Sequence, residues 1–238
     1  MTYILHKAEE RGKAEHGWLH TRFSFSFADW YDPERMGFGT LRVINDDVID
    51  PDSGFDLHPH NNMEIITIVM EGVITHGDSM GNDQVVPAGD VQVMSAGTGV
   101  VHSEHNRSLD ETLKLFQIWI HPKSRNIVPR YGQKSFGTHW EPDTLQLLVS
   151  PDGREDSLLI HQDAFILRGS LDKGKTQAYA LRDTNKNGVY VLVVDGSITI
   201  DGNVLMERDA LGIYEAGTFS IIANQYSHYL VFEVPMVI

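Results

Sequence analysis

The chain has 238 residues, no cysteine, twelve histidines, and a formal net charge of −14 from 19 basic and 33 acidic side chains. The absence of cysteine excludes a disulfide scaffold, thiolate zinc, an iron–sulfur cluster and a cysteine nucleophile, so nitrogen and oxygen must hold any metal. The charge is split evenly at residue 140, −7 in each part, which leaves no basic half for a phosphate backbone and argues against direct nucleic-acid binding.

Hydrophobic residues make up 41% of the chain and charged residues 22%, ordinary values for a globular protein. The opening MTYILHKAEERGKAEHG lacks the apolar run of a signal peptide, and no segment approaches the ~18 apolar residues of a membrane helix. The expectation is a soluble, cytoplasmic protein without a membrane partner.

Taken in chain order, Met63–Met70, Val91–Met94, Leu113–Ile120, Val189–Val194, Ser197–Ile200 and Tyr229–Val234 read as strands. Turns such as Glu71-Gly72, Gly81-Asn82, Asp195-Gly196 and Gly202-Asn203 separate them, as hairpins require. No long, capped segment of helical period appears, so the fold class is all-β, a barrel or sandwich.

An internal repeat is visible. The strand and turn from Glu64 to Gly72 match Gly188 to Gly196 at an offset of 124, and Asp90–Thr98 matches Ala210–Thr218 at 120. The expected organisation is two β-domains, residues 1–140 and 141–238, joined through the proline-bearing stretch from His121 to Asp143.

Ten of the twelve histidines lie in the first 140 residues. Side chains two apart in a strand share a face, so His58 and His60 are expected to point the same way, with Glu64. By the same parity His102 and Glu104 share a face. Three imidazoles and a carboxylate suit a borderline divalent metal with open positions; polar residues at a barrel rim are the alternative. The repeat serves as a control. At those offsets His58, His60 and Glu64 fall on Arg182, Thr184 and Gly188, while His102 and Glu104 fall on Ile222 and Asn224. The second domain thus lacks every candidate ligand, and the metal site is expected in the first only.

The motifs His58-Pro-His60-x-x-Met-Glu64 and Pro87-Ala-Gly89 through Gly97-x-Gly99-x-x-His102-Ser-Glu104 resemble the two cupin motifs as pirin-family proteins carry them. FSFADWYDP (Phe25–Pro33) and MGFGTLRVINDD (Met36–Asp47) are also pirin-like, and the similarity runs closest to bacterial pirin-like quercetin 2,3-dioxygenases. The resemblance implies two cupin-type jelly-roll barrels. It implies metal ligands at His58, His60, His102 and Glu104, where general cupins would draw on Glu64; parity permits either carboxylate. It further implies a divalent ion, Fe(II) first, with Cu, Ni, Mn, Co or Zn as alternatives, and a flavonol-like substrate cleaved with O2. Glu104 would then be the catalytic residue, as a ligand or as a base. Pirin relatives in nuclei act through partner proteins, so a metal-binding regulatory protein is the second reading. An isomerase or hydrolase on the same scaffold is a third, because fold does not fix chemistry.

Other features read as structural. His105 is out of phase with His102, His76 reads as a solvated hairpin residue, and His161 and His228 as structural or surface groups. Phe23, Phe25 and Phe27, at period two, read as a buried strand face. Gly97-x-Gly99 is not followed by a helix pattern and is no phosphate loop.

Overall fold

A computed structural model describes residues 1–237. It is built almost wholly of strands; among the described residues, helix is confined to two three-residue 3-10 turns, Ala8–Glu10 and Arg154–Asp156. No helix there is long and apolar enough to cross a membrane.

The apolar runs form the central strands of two seven-stranded sheets. In the first, Asp90–Ser95, Glu64–Glu71, Leu113–Ile120 and Leu41–Ile49 lie side by side; in the second, Ala210–Tyr214, Asn187–Asp195, Ser227–Pro235 and Phe165–Leu171 take the same order. A four-stranded sheet accompanies each: Ser53–His60, Val100–Asn106, Val73–Asp78 and Asp83–Pro87 in one barrel, Thr176–Ala180, Thr218–Ala223, Ser197–Ile200 and Asn203–Met206 in the other. The duplication read from the Glu-Gly and Asp-Gly turns is thus a duplication of topology, two cupin-type barrels in one chain.

Two segments depart from a simple succession. The stretch expected to connect the halves contains a strand, Arg130–Ser135, paired with Asp90–Ser95. The first strand, Thr2–His6, pairs with Ala210–Tyr214 in the second large sheet.

The outer faces of the two large sheets bury each other. Ile66, Phe116 and Ile118 from one meet Tyr190, Leu192 and Phe232 from the other in a single fully buried cluster. The interiors of the barrels differ. The second is one continuous apolar core, with Val191, Ile198, Phe219, Ile221 and Val231 in mutual contact. The first is divided into two small clusters, one around Ile49, Ile74 and Val86 and one around Ile65, Met94 and Val100. Buried Thr67, Gln92, His102 and Glu104 occupy the space between.

The N-terminal strand carries a titratable anchor. His6 is 8% exposed, and its Nδ1 lies 2.9 Å from the Tyr190 hydroxyl. Burial, with Arg35 nearby, lowers its pKa from 6.5 to about 4. Between those values the unfolded chain binds a proton that the folded one refuses. The His6 contribution is therefore complete above 6.5 and is lost as pH falls towards 4. Urea midpoints measured across that window should fall with acid in the wild type, and less steeply in His6→Asn.

Candidate metal centre

The four-stranded sheet of the first barrel carries all four candidate ligands and brings three of them, His58, His60 and His102, into one donor group. His58 and His60 end the strand Ser53–His60; His102 and Glu104 sit mid-strand in Val100–Asn106. His102 pairs across to His58 and Val100 to His60. A bulge then shifts the register, so that Glu104 faces Phe55. The turn that launches the second strand needs Gly97. Its φ is +46°, and a Cβ there would stand 2.0 Å from the Ile127 carbonyl oxygen, a close approach only glycine permits.

The three imidazoles converge. Ring centroids of His58 and His102 are 4.4 Å apart, and those of His60 lie 4.9 Å from each of the other two. One nitrogen from each falls within 4.8 Å of the others. His58 Nδ1 is 2.7 Å from the Asp56 carbonyl, which fixes the proton there and leaves Nε2 as the free donor atom. Burial holds His60 down to about 4 and His102 to about 2, and the neighbouring imidazoles add to both shifts. Both positions thus favour the neutral, ligating form of histidine.

Glu104 is 3% exposed and is held from the opposite sheet. Gln117 Nε2 donates to its Oε2 at 2.9 Å, while Gln92 Nε2 and Thr67 Oγ1 donate to Oε1. Burial raises its pKa, opposed by His76, His58 and the Gln92 hydrogen bond. Asp47, also on the cavity wall, is pushed up to about 7, chiefly by burial. The cavity measures about 180 Å³, and Phe27, Phe55 and Trp119 supply its aromatic walls.

Glu64 lies apart from this group. The parity argument carried it along with His58 and His60, but the chain turns between His60 and Glu64 and passes into the other sheet. Its carboxylate accepts from Ser95 Oγ at 2.7 Å and from the His161 amide at 3.2 Å. His105 also stands outside, its Nε2 3.3 Å from Asp56. The aromatic run does not form one face: the strand ends at Phe23, Phe25 enters the inter-barrel core, and Phe27 lines the cavity against Trp119.

His76 is the residue that sequence reasoning misplaced. It is fully buried, not solvated, and pairs across the sheet with Glu104. Its Nε2 meets Asp78 at 3.1 Å, and Tyr131 packs on the ring with centroids 4.7 Å apart. With His102 and Glu104 it forms a second donor group within 4.8 Å. Thr67, Gln92 and Gln117 were also missed. Each is a lone polar residue inside an apolar strand, a pattern that marks a buried polar network.

The repeat comparison also changes register. Across the strands that follow the matched turns, Glu104 pairs with His76 and Ile221 with Ile200. Ile221 therefore stands in place of Glu104, and Phe219, two residues earlier, in place of His102. Ile222 and Asn224 are exposed and belong to the opposite face. The tighter turn before Thr218–Ala223 removes residues that a constant offset ignores. Apolar side chains replace the candidate ligands, and among the described residues both metal-capable groups lie in the first barrel.

Whether these residues fit a metal can be judged from His102. It is 1% exposed, and neither ring nitrogen has a hydrogen-bond partner. An unmet buried polar group costs about 1–3 kcal/mol, a cost that coordination would remove. The donors are imidazoles and a carboxylate, a set suited to a divalent first-row ion.

A duplicated barrel with a histidine-rich pocket in one copy defines a bicupin with a group of side chains that could hold a metal. The Pirin family profile matches residues 5–120, and that of the quercetinase C-terminal cupin domain matches 147–234. A quercetin 2,3-dioxygenase of Escherichia coli is 47% identical over 98% of this chain and 99% of its own. A pirin-like protein of Caulobacter vibrioides is 44% identical over 90% and 92%. The crystal structure of the E. coli bacterial pirin YhhW in complex with nickel(II) superposes with a TM-score of 0.93 at 46% identity, covering 99% of this chain and 100% of that one. The chain belongs to the pirin family.

Proposed function

We propose that this protein is a metal-dependent dioxygenase that cleaves quercetin-like flavonols with O2. Its ion, Fe(II) in the first instance, would be held by His58, His60, His102 and Glu104. The observation that carries the reading is a buried imidazole with two unmet nitrogens, His102, set beside two further imidazoles in an aromatic-walled cavity.

A divalent ion bound there would supply Lewis acidity, lowering the pKa of a flavonol hydroxyl beside it. The remaining work belongs to the side chains. The Asp56 carbonyl aims His58 Nε2 at the cavity. Glu104 accepts the proton of the substrate hydroxyl, and its burial favours holding that proton. Gln92 and Gln117 keep the carboxylate in place, while Phe27, Phe55 and Trp119 exclude water and offer flat faces to an aromatic ring. The names of the E. coli relative and of the nickel complex support the reaction class and the class of ion. The division into a metal-binding unit, 1–140, and a metal-free unit, 141–238, is part of the same proposal.

Anaerobic purification, elemental analysis and an oxygen-uptake screen with flavonols under each divalent metal test it. Uptake coupled to flavonol loss, and abolished by chelation, is expected. No uptake with any metal would sink the enzyme reading and is the outcome a purely regulatory metal protein predicts.

A further inference from the structure

The two turns that lie beside His60 and His102 are fastened to each other and to one loop. Asn62, two residues past His60, donates its amide to the Gly97 carbonyl at 2.9 Å, and the Ala96 amide donates to the Met63 carbonyl at 2.8 Å. The loop 121–129, between the strands Leu113–Ile120 and Arg130–Ser135, grips both turns with adjacent residues. The Asn126 amide donates to Asn62 Oδ1 at 2.7 Å, and Asn62 Nδ2 donates to Asn126 Oδ1 at 3.4 Å. The Ile127 carbonyl accepts the Thr98 amide at 3.0 Å. Asn62 and Asn126 both hold left-handed backbone, φ +48° and +57°, which asparagine adopts at less cost than most residues.

The start of the same loop is tied to the second barrel. The Lys123 amide donates to the His161 carbonyl at 2.8 Å, and Gln162 Nε2 donates to the His121 carbonyl at 2.7 Å. Gln162 is buried, and with His161 it leads into Phe165–Leu171, a strand of the second large sheet. The His161 amide also reaches Glu64, the first residue of the strand that follows the His60 turn. We propose that the loop 121–129 is a strap through which the second barrel positions the metal site, with Asn62 and Gln162 as its positioning residues. This rests on the reading of His60 and His102 as metal ligands. A ligand set works only when held within roughly 0.5 Å of its bonding geometry. His60 ends its strand and His102 lies two residues into its own, so the turns beside them set that geometry. The coupling is reciprocal: an ion bound by these histidines must tighten the strap.

The test uses the full-length chain stripped of metal, with Zn²⁺ affinity read by competition against a chromophoric chelator and Co²⁺ as the spectroscopic probe. Asn62→Gly permits the left-handed backbone and removes both side-chain links. Gln162→Met is close in size and removes the link on the second barrel. Each is expected to weaken Zn²⁺ binding roughly tenfold, the low end of what support of a ligand set contributes, and to change the visible absorption of bound Co²⁺. Asn62→Asp, which keeps the acceptor for the Asn126 amide, should restore wild-type affinity. In the wild type, Zn²⁺ should slow hydrogen exchange at the Lys123 amide. Wild-type affinity and Co²⁺ spectrum in Gln162→Met overturn the proposal even where Asn62→Gly binds less tightly, because the turns would then be held within the first barrel alone. If Gln162→Met does not fold, the Lys123 amide decides, and an exchange rate that Zn²⁺ leaves unchanged overturns the strap. A wild type that binds no Zn²⁺ overturns the ligand reading itself, and the strap's role with it.

Discussion

His102→Ala is expected to lower divalent-metal affinity by at least about 100-fold, beyond the 10–100-fold typical of losing a ligand's outer support, and to take flavonol-dependent oxygen uptake to background with it. His102 is central to the barrel's polar block: it pairs with His58 on one side and Asp78 on the other. The metal-free protein should behave differently. The substitution deletes two buried nitrogens that have no partner, each a cost of about 1–3 kcal/mol, and so offsets part of the cavity it opens. The metal-free variant should therefore unfold near the wild-type midpoint, while the rise in Tm that bound metal confers by mass action disappears. A variant that keeps that rise would remove His102 from the ligand set.

Glu104→Gln is the second large effect. An amide cannot take the substrate proton, so kcat should fall about 10²–10⁴-fold, the range general-base catalysis contributes, with KM little changed. The neighbours add a structural cost. Both carboxylate oxygens accept from glutamine Nε2 groups, one from Gln92 and one from Gln117. The new amide can accept at only one of its two ends. One glutamine must rotate or lose its partner, at about 1–3 kcal/mol of stability. Steady-state oxygen uptake separates kcat from KM, and urea unfolding reads the structural cost separately. A wild-type kcat in the Glu104→Gln variant would exclude the proton-accepting role.

The all-β class, the duplication and the shared face of His58 with His60 were legible because each depends on a local rule, whereas bringing His102 to them from another strand rested on the resemblance to pirins. Turn residues sit between apolar runs, and parity operates within one strand. Parity failed where the chain changed sheets. His60 and Glu64 are four residues apart but belong to different sheets, so the shared face ended at the intervening turn. His76 was missed for a related reason. A histidine near a hairpin usually meets water, and only the pairing of Val73–Asp78 with the strand of His102 and Glu104 carries this one inside. The register of the second barrel was misread because a fixed offset passes through turns of unequal length. Phe219 and Ile221, not Ile222 and Asn224, fill the space where the ligands would be.

The pairing of Thr2–His6 with Ala210–Tyr214 has a consequence for how the molecule comes into being and how it comes apart. Thr2–His6 leaves the ribosome some two hundred residues ahead of its partner, so the second large sheet is completed only once Ala210–Tyr214 has followed. Pairing over that separation closes late and slowly. Once made, it acts as a clasp. A protease cut between the two barrels would leave the fragments knitted together at the far end by Thr2–His6, as well as glued along the shared core. The cut pieces should co-migrate until denaturant melts both together, and removing the first six residues should lower the denaturant concentration at which they part.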